Sequence, residues 1–252
     1  MRVVRATAIP GAVLALALGT GGCAAAEPGD GLDGELTVYA AASLGPAFEE
    51  IAAAFEDAHP GVDVRPLVLD GSQVLATQLA EGAPADVFAS ADEQTMARVA
   101  ELVTDPVVFA TNTLAIAVPP GNPAGIAGLA DLADPGATVV LCAPEVPCGA
   151  ASTTLLARAG VEVDAASLEQ NVGAVLAKVA AGEADAGLVY RTDIARADVE
   201  SVEAEGAGDV VNRYPVAALR DARNPEAAAS FVALVRGAIG QDILAEHGFG
   251  AP

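Results

Sequence analysis

The sequence predicts an α/β fold with largely parallel sheets. Short apolar strands alternate with amphipathic helices along most of the 252 residues, which is typical of strands joined by helical crossovers. Several strands end in small or turn-forming residues that lead directly into a helix, as in AAASLGP, DGSQV and PCGAAS. Such ends place helix N-termini at the carboxyl edge of a sheet, where ligands of open α/β sheets bind.

Each strand is identified by an apolar run that stops at a turn signal, and each helix by apolar residues three or four positions apart, as at Phe48, Ile51 and Phe55. Strands are predicted in ELTVYAAAS, VDVRPLVL, ADVFAS, NTLAIAVPPG, ATVVLCA, ADAGLVY and RYPVAAL. Helices are predicted in PAFEEIAAAFEDAHPG, QVLATQLAEG, DEQTMARVAEL, LADLAD, ASTTLLARAG, NVGAVLAKVAAGE, NPEAAASFVALVRGAI and QDILAEHGF.

Residues 1–22 are predicted to be an export signal peptide. Arg2 and Arg5 precede the apolar run GAVLALAL, and the small-residue segment GTGGC follows it. That ending resembles the cleavage box of bacterial lipoproteins, which implies that Cys23 receives lipid and becomes the first mature residue. Residues 23–34 then form a lipidated, polar, Gly-rich tether. We therefore expect the protein at the outer face of the cytoplasmic membrane, at the cell surface or in a periplasm.

The charge balance argues against nucleic acid and lipid headgroups as partners. The chain has 12 Lys and Arg against 34 Asp and Glu, a net charge of −22. Residues 1–22 contain two Arg and no acid, so their removal changes this charge to −24. Such a surface repels polynucleotides and anionic lipid, and the lipid anchor is the only membrane contact we expect. The same charge makes an anionic ligand unexpected.

Cys142 and Cys148 are predicted to form a disulfide. Export places them in an oxidising compartment, where disulfides persist. A zinc site would need two further ligands, and His59 and His247 are both distant in sequence. A redox pair usually has two intervening residues, whereas five separate these cysteines. A disulfide is favoured over both alternatives, and it would fix the loop that leads into CGAAS.

Ser43, Ser72 and Asn171 stand where strands pass into helices. All three are good N-cap residues, so each could serve only to cap its own helix. The alternative is that several helix starts in one exported chain together form a cradle for an anion.

Six segments resemble, in their order and spacing, the periplasmic molybdate-binding proteins of ABC-type importers: VYAAASL, EGAPADVFASAD, PEVPCG, NVGAVLAKV, AGLVY and YPVAAL. The resemblance extends from about residue 35 to residue 250, the whole mature domain. It implies a two-lobed periplasmic-binding-protein fold, with a mostly parallel sheet flanked by helices in each lobe and the ligand in the cleft between them. It also implies that the protein captures a tetrahedral oxyanion, molybdate or tungstate, and delivers it to an ABC permease.

The ligand contacts of that family transfer to five positions of this sequence. The resemblance implies that the hydroxyls of Ser43, Ser72 and Tyr190 and the backbone N–H groups of Cys148 and Val172 donate to the anion. Hydrogen bonds to a charged acceptor are worth about 1.5–3 kcal/mol each, so neutral donors suffice for a dianion. No cofactor is expected, and no metal as a free cation, since molybdenum would bind only as its oxyanion.

Lobe one is expected to comprise residues 35–113 and 216–252, and lobe two residues 114–215. The chain would then cross between lobes near Thr113 and Pro215, and these crossings would act as the hinge. The protein is expected to be a monomer.

Selectivity depends on the same donors. Tungstate is nearly isosteric with molybdate and should bind as well, whereas phosphate keeps a proton that needs an acidic acceptor. None of the five contacts is acidic, and Asp70 and Glu145 are interpreted as solvated loop acids. A sulfate or thiosulfate receptor of the same fold stays open as an alternative, because cavity size separates these anions.

An exported enzyme and a purely structural surface lipoprotein are the other classes considered. A serine nucleophile needs a base within hydrogen-bond reach, and His59 and His247 occupy helix-end turns. The sequence contains neither G-x-S-x-G nor H-E-x-x-H, so no enzymatic activity is expected. A purely structural role would leave the ordered set of donors unexplained.

Overall fold

A computed structural model describes Met1, Val3 and residues 31–252. Apart from these two N-terminal positions, the predicted signal peptide (residues 1–22) lies outside the described residues, as do Cys23 and most of the tether. The last tether residue, Gly34, already belongs to the first strand.

The strands of the described chain are mostly short. In chain order they are β1 Gly34–Leu36, β2 Val38–Ala41, β3 Val62–Val64, β4 Val68–Asp70, β5 Val87–Ala89, β6 Val103–Asn112, β7 Leu114–Val118, β8 Val139–Cys142, β9 Ser167–Glu169, β10 Ala186–Tyr190, β11 Glu200–Val202 and β12 Asn212–Leu219. The helices are α1 Gly45–Ala58, α2 Ser72–Ala80, α3 Glu93–Arg98, α4 Pro147–Ala159, α5 Val172–Ala180, α6 Arg191–Ile194, α7 Pro225–Arg236 and α8 Ala238–Glu246, with 3₁₀ turns at Ala42–Leu44, Leu129–Ala133 and Ala207–Asp209.

These strands form two five-stranded sheets, with the orders β4-β2-β5-β12-β6 and β11-β7-β10-β8-β9, and a separate β1-β3 pair. Helices α1, α2, α3, α7 and α8 pack with the first sheet, and α4, α5 and α6 with the second. We call these two units lobe one and lobe two. The arrangement confirms the predicted α/β class.

Each sheet mixes strand directions instead of being mostly parallel. In lobe one, β2 runs parallel to β4 and β5, whereas β12 is antiparallel to β5 and β6. In lobe two, β8 is parallel to β9 and β10, whereas β7 is antiparallel to β10 and β11. The antiparallel members include β6, β7 and β12, the strands next to the points where the chain passes between lobes.

Two crossings join the lobes. Strand β6 of lobe one leads into β7 of lobe two through the single residue Thr113. The chain returns with β12, which begins at Asn212, ahead of the expected boundary at Val216. Asn112 and Asn212 are register partners in the β6–β12 pair, so the two crossings lie side by side.

The sequence analysis missed β6, although it is the longest strand described. The run from Val103 to Asn112 is interrupted by Asp105 and Pro106, and Asp105 has a positive φ of 44°. The register of β12 against β6 also shifts at two places. An irregular strand of this kind loses the alternation of buried and exposed residues on which its recognition depends.

An aromatic cluster connects the core of lobe one to the cleft. The rings of Phe48, Phe55 and Phe231 pack together. The centroid of the Phe231 ring lies 6.1 Å from that of Phe48 and 5.3 Å from that of Phe55. Phe48 also contacts Phe109, which leads to Tyr214. The Tyr214 ring meets that of Tyr190 of lobe two edge-on, with centroids 5.9 Å apart.

Within the described residues, no single helix combines the length and apolar composition of a membrane span. The bent pair α7–α8 reaches that composition only when both helices are taken together. Its apolar residues Ala227, Phe231 and Val235 are buried in the core of lobe one.

Candidate functional site

A small cavity lies between the lobes, at the carboxyl ends of β2, β4, β5, β8, β9 and β10. Its volume is about 10 Å³. Its walls are Ala41, Ala42, Ser43, Asp70, Gly71, Ser72, Ala91, Val146, Pro147, Cys148, Asn171, Val172 and Tyr190. The structure thus brings all five residues of the expected contact set to one cavity, and no Lys or Arg is among the lining residues.

Lobe one supplies two buried serines, and neither caps a helix. Helix α1 has Leu44 at its N-cap and α2 has Gly71, both without a side-chain cap bond. The Ser72 hydroxyl accepts the backbone N–H of Ala91 at 3.0 Å. Ser43 Oγ shares a hydrogen bond of 3.2 Å with the hydroxyl of Tyr214. The capping alternative is therefore wrong for both serines.

Lobe two supplies the first turns of two helices. Helix α4 begins at Pro147, which makes Cys148 its second residue, and α5 begins at Val172. The first N–H groups of a helix have no acceptor within the helix. Here they lie at the cavity wall, together with the positive end of each helix dipole. Asn171 does cap α5, because its Oδ1 accepts the N–H of Ala174 at 2.9 Å.

The Cys142–Cys148 disulfide is present and ties the end of β8 to the first turn of α4. The two Cα atoms lie 5.8 Å apart. The adjacent Gly149 has no room for a side chain, since a Cβ there would lie 1.9 Å from the carbonyl oxygen of Ala143. The disulfide and this close approach together hold the Cys148 amide at the cavity.

Tyr190 contributes a phenol from the end of β10. Its side chain is buried, and its hydroxyl accepts Asn212 Nδ2 at 3.0 Å. Asn212 also donates to the carbonyl oxygen of Ala91 at 3.1 Å. Burial raises the pKa of Tyr190 well above its ordinary value, and the charges of nearby Asp92 and Asp193 act in the same direction. The phenol therefore stays protonated, and its O–H group can donate a hydrogen bond to an anion.

Tyr214 and Asn212 are functional neighbours that the sequence analysis missed. Both stand in β12, where the segment RYPVAAL indicated only a strand. Tyr214 supports Ser43, and Asn212 orients Tyr190. The available signal was the alternation of Asn212 and Tyr214, both buried, with the exposed Arg213 at the start of this strand.

The buried carboxylate of Asp193 lies next to Tyr190 and pairs with Arg196, whose side chain is 27% exposed. Asp193 accepts the backbone N–H of Tyr190 at 3.0 Å and Arg196 Nη1 at 2.6 Å. The same Arg196 atom reaches the carbonyl oxygen of Ala42 in lobe one, at 3.3 Å. A cation of lobe two thus bridges to lobe one beside the cavity without lining it.

Asp70 is part of the cavity wall, so its interpretation as a solvated loop acid is wrong. Its Oδ1 accepts the backbone N–H of Gly71 at 2.7 Å and Asn171 Nδ2 at 2.9 Å. Glu145, the other acid considered, is exposed and lies outside the cavity. Sequence alone could not reveal the Asp70 contact, because its partner lies 101 positions away.

Residues 36–250 match the family described as Bacterial extracellular solute-binding protein. The chain belongs to this family. The solute-binding protein is 45% identical to the molybdate-binding protein ModA of Mycobacterium tuberculosis, over 86% of this chain and 85% of that protein. Membership confirms that the protein is exported.

Two solved structures show the same fold. The periplasmic molybdate-binding protein of Azotobacter vinelandii has a TM-score of 0.72 and 21% identity, covering 86% of this chain and 99% of that chain. The sulfate-binding protein SubI of Mycobacterium tuberculosis has a TM-score of 0.73 and 19% identity, covering 85% of this chain and 86% of that one. These neighbours confirm the two-lobed binding-protein fold. The relatives are binding proteins, which also confirms that the solute-binding protein is not an enzyme.

Within residues 31–252, no three His, Cys, Asp or Glu side chains of the solute-binding protein are grouped so that they could hold a metal ion. The chemistry of the cavity is instead that of hydrogen-bond donors. Three hydroxyls and the first turns of α4 and α5 converge on one small space.

Asp193 makes the stability of the protein depend on pH. Burial raises its pKa from 3.8 to about 6, against the opposing effect of Arg196 and the Tyr190 N–H. The native state thus binds this proton more tightly than the unfolded chain does. The associated stability is fully present below pH 3.8 and is lost as the pH rises through about 6.

We expect the free energy of unfolding of the wild type to fall relative to that of Asp193→Asn between pH 4 and pH 7. Urea denaturation of both proteins at several pH values measures this difference. Asp198→Asn, at an exposed acid nearby, is the control and should follow the wild type. Parallel pH profiles for wild type and Asp193→Asn would contradict the raised pKa.

Proposed function

We propose that this solute-binding protein captures molybdate, and equally tungstate, outside the cytoplasm and delivers it to an ABC permease in the membrane. The observation that carries the proposal is the convergence of uncharged donors from both lobes on one small cavity. The hydroxyls of Ser43, Ser72 and Tyr190 and the N–H groups of Cys148 and Val172 are the proposed ligand contacts. The relatives named for molybdate binding support this choice of ligand.

The size of the cavity favours a small inorganic ion. Pockets for drug-sized organic ligands measure about 300–1,000 Å³, whereas the volume of this cavity is only about 10 Å³. The donors come from loops on different sides of that space, so together they can surround a tetrahedral anion. With about 1.5–3 kcal/mol for each bond to a charged acceptor, five donors suffice for tight binding after the cost of association.

The acidic surface does not prevent anion binding. Exposed charges farther from the cavity than about 8 Å, the Debye length at physiological salt, are largely screened. The proposed donors lie at contact distance and are buried, with Ser43 3% and Ser72 1% exposed. Within this small space the donors and helix dipoles make the largest contribution to the local potential.

We further propose that lipid on Cys23 anchors a monomeric protein to the outer face of the membrane. The small-residue segment before Cys23 and the polar sequence after it support this anchor. The mass of the mature N-terminus tests it, since lipid adds to the mass of the Cys23 peptide.

Calorimetric titration of the mature protein tests the ligand. We expect strong binding of molybdate and tungstate at pH 7.5, weaker binding of sulfate, and no measurable heat with phosphate. Sulfate is the informative competitor, because the sulfate-binding protein SubI has the same fold. Sulfate binding as tight as molybdate binding would contradict the proposal and favour the sulfate receptor.

Removal of one phenol tests the contact set. Tyr190→Phe should weaken molybdate binding about tenfold, because one hydrogen bond to a charged acceptor is lost. Tyr214→Phe is the matched control, since it removes a phenol that is equally buried but stands behind Ser43, away from the cavity wall. Its effect on affinity should be clearly smaller. Equal effects of the two substitutions, measured in the same titrations, would remove Tyr190 from the contact set.

A further inference from the structure

Two short segments meet across the cleft on one side of the cavity. Residues 70–73 belong to lobe one and residues 170–172 to lobe two. Gly71 has no space for a side chain, since a Cβ there would lie 2.2 Å from the carbonyl oxygen of Gln170. Two hydrogen bonds join the segments: Asn171 Nδ2 donates to Asp70 Oδ1 at 2.9 Å, and Gln73 Nε2 donates to the Gln170 carbonyl at 2.8 Å.

Both the oxygen and the nitrogen of the Asn171 side-chain amide form hydrogen bonds. Its Oδ1 accepts the N–H of Ala174 and caps α5, while its Nδ2 donates to Asp70. The next residue, Val172, begins α5 and lines the cavity. A contact to Asn171 therefore fixes where the first turn of α5 stands relative to lobe one.

Asp70 has a matching position in lobe one. It ends β4, and the backbone N–H of Gly71 donates to the same Oδ1 atom that receives Asn171. Ser72, one of the proposed ligand contacts, follows two residues later. The carboxylate thus connects the loop that carries Ser72 with the helix start that carries Val172.

We infer that Asp70 and Asn171 form an interlobe latch that positions the donors of both lobes around the anion. Asp70 is then a positioning residue: its carboxylate stabilises the closed cleft through Asn171 and does not bind the ligand. The inference rests on the proposed function, because it assigns Asp70 a role in oxyanion binding.

The direction in which anion affinity changes when Asp70 is neutralised distinguishes this positioning role from simple electrostatic repulsion of the ligand. A carboxylate in the wall of an anion site repels a dianion, so its neutralisation would tighten binding if repulsion were its main effect. If Asp70 acts as a latch, its neutralisation weakens binding, because a hydrogen bond to a charged acceptor is lost only from the closed state. The latch touches protein alone, so molybdate and tungstate affinities should change by the same factor.

An exchange of the two side chains tests the latch. Asn171→Asp retains a good N-cap residue for α5 but sets two carboxylates against each other, and we expect molybdate binding to weaken at least about tenfold. Asp70→Asn alone should weaken it about threefold. The double variant Asp70→Asn with Asn171→Asp restores an amide–carboxylate pair and should return close to the wild-type affinity.

Hydrogen exchange of the α5 first-turn amides in the absence of oxyanion provides a second readout. It should be faster in Asn171→Asp and return toward the wild-type rate in the double variant. Glu145→Gln, an exposed acid beside the same interlobe groove as Gln73 and Gln170, is the control and should change neither readout.

Three results would overturn the latch: tighter binding by Asp70→Asn, no recovery in the double variant, or a change in Glu145→Gln equal to that in Asp70→Asn. Failure of the wild type to bind any oxyanion would instead overturn the proposed function. The exchange rates of the three latch variants would then decide the latch by themselves.

Discussion

Each proposed donor in the cleft is held by a second contact within the protein. The two serine hydroxyls, the phenol and the two helix starts all have such a partner: Ala91 for Ser72, Tyr214 for Ser43, Asn212 for Tyr190, the disulfide for Cys148 and the Asn171 cap for Val172. A donor fixed in this way loses little freedom when an anion arrives. Preorganised neutral groups can therefore hold a dianion without a Lys or Arg in the wall.

The acidic side chains around the cavity likewise have partners within the protein. Asp193 is fully buried, yet it lies against Arg196 and receives the Tyr190 N–H. Asp70 lies in the wall, but two donors converge on one of its oxygens. Each acid is thus paired within the protein, and each pair also connects structure across the cleft. A chain with a net charge of −22 can keep an anion site because the nearest negative charges have partners.

Much of the site could be predicted from sequence because its residues occur in the short segments that carry the resemblance to molybdate-binding proteins. All five expected contact positions line one cavity, and the cysteine pair is a disulfide. The parts of the site that the sequence analysis did not predict depend on contacts between residues distant in sequence. The residues that support Ser43 and Tyr190 stand in β12, and Asp70 meets Asn171 only when both lobes are folded. Strand β6 was missed for a local reason, because Asp105 and Pro106 interrupt its run of apolar residues.

The side-by-side arrangement of the two crossings has a mechanical consequence. Asn112 and Asn212 are neighbours in the β6–β12 pair, so the lobes are joined along a narrow line and not at two distant points. Two adjacent strands twist easily about that line and resist shearing past each other, because sliding would break the ladder that joins them. We therefore expect the cleft to open by rotation of one lobe about this single axis. The wall residues of each lobe would then move together and return to the same arrangement at each closure.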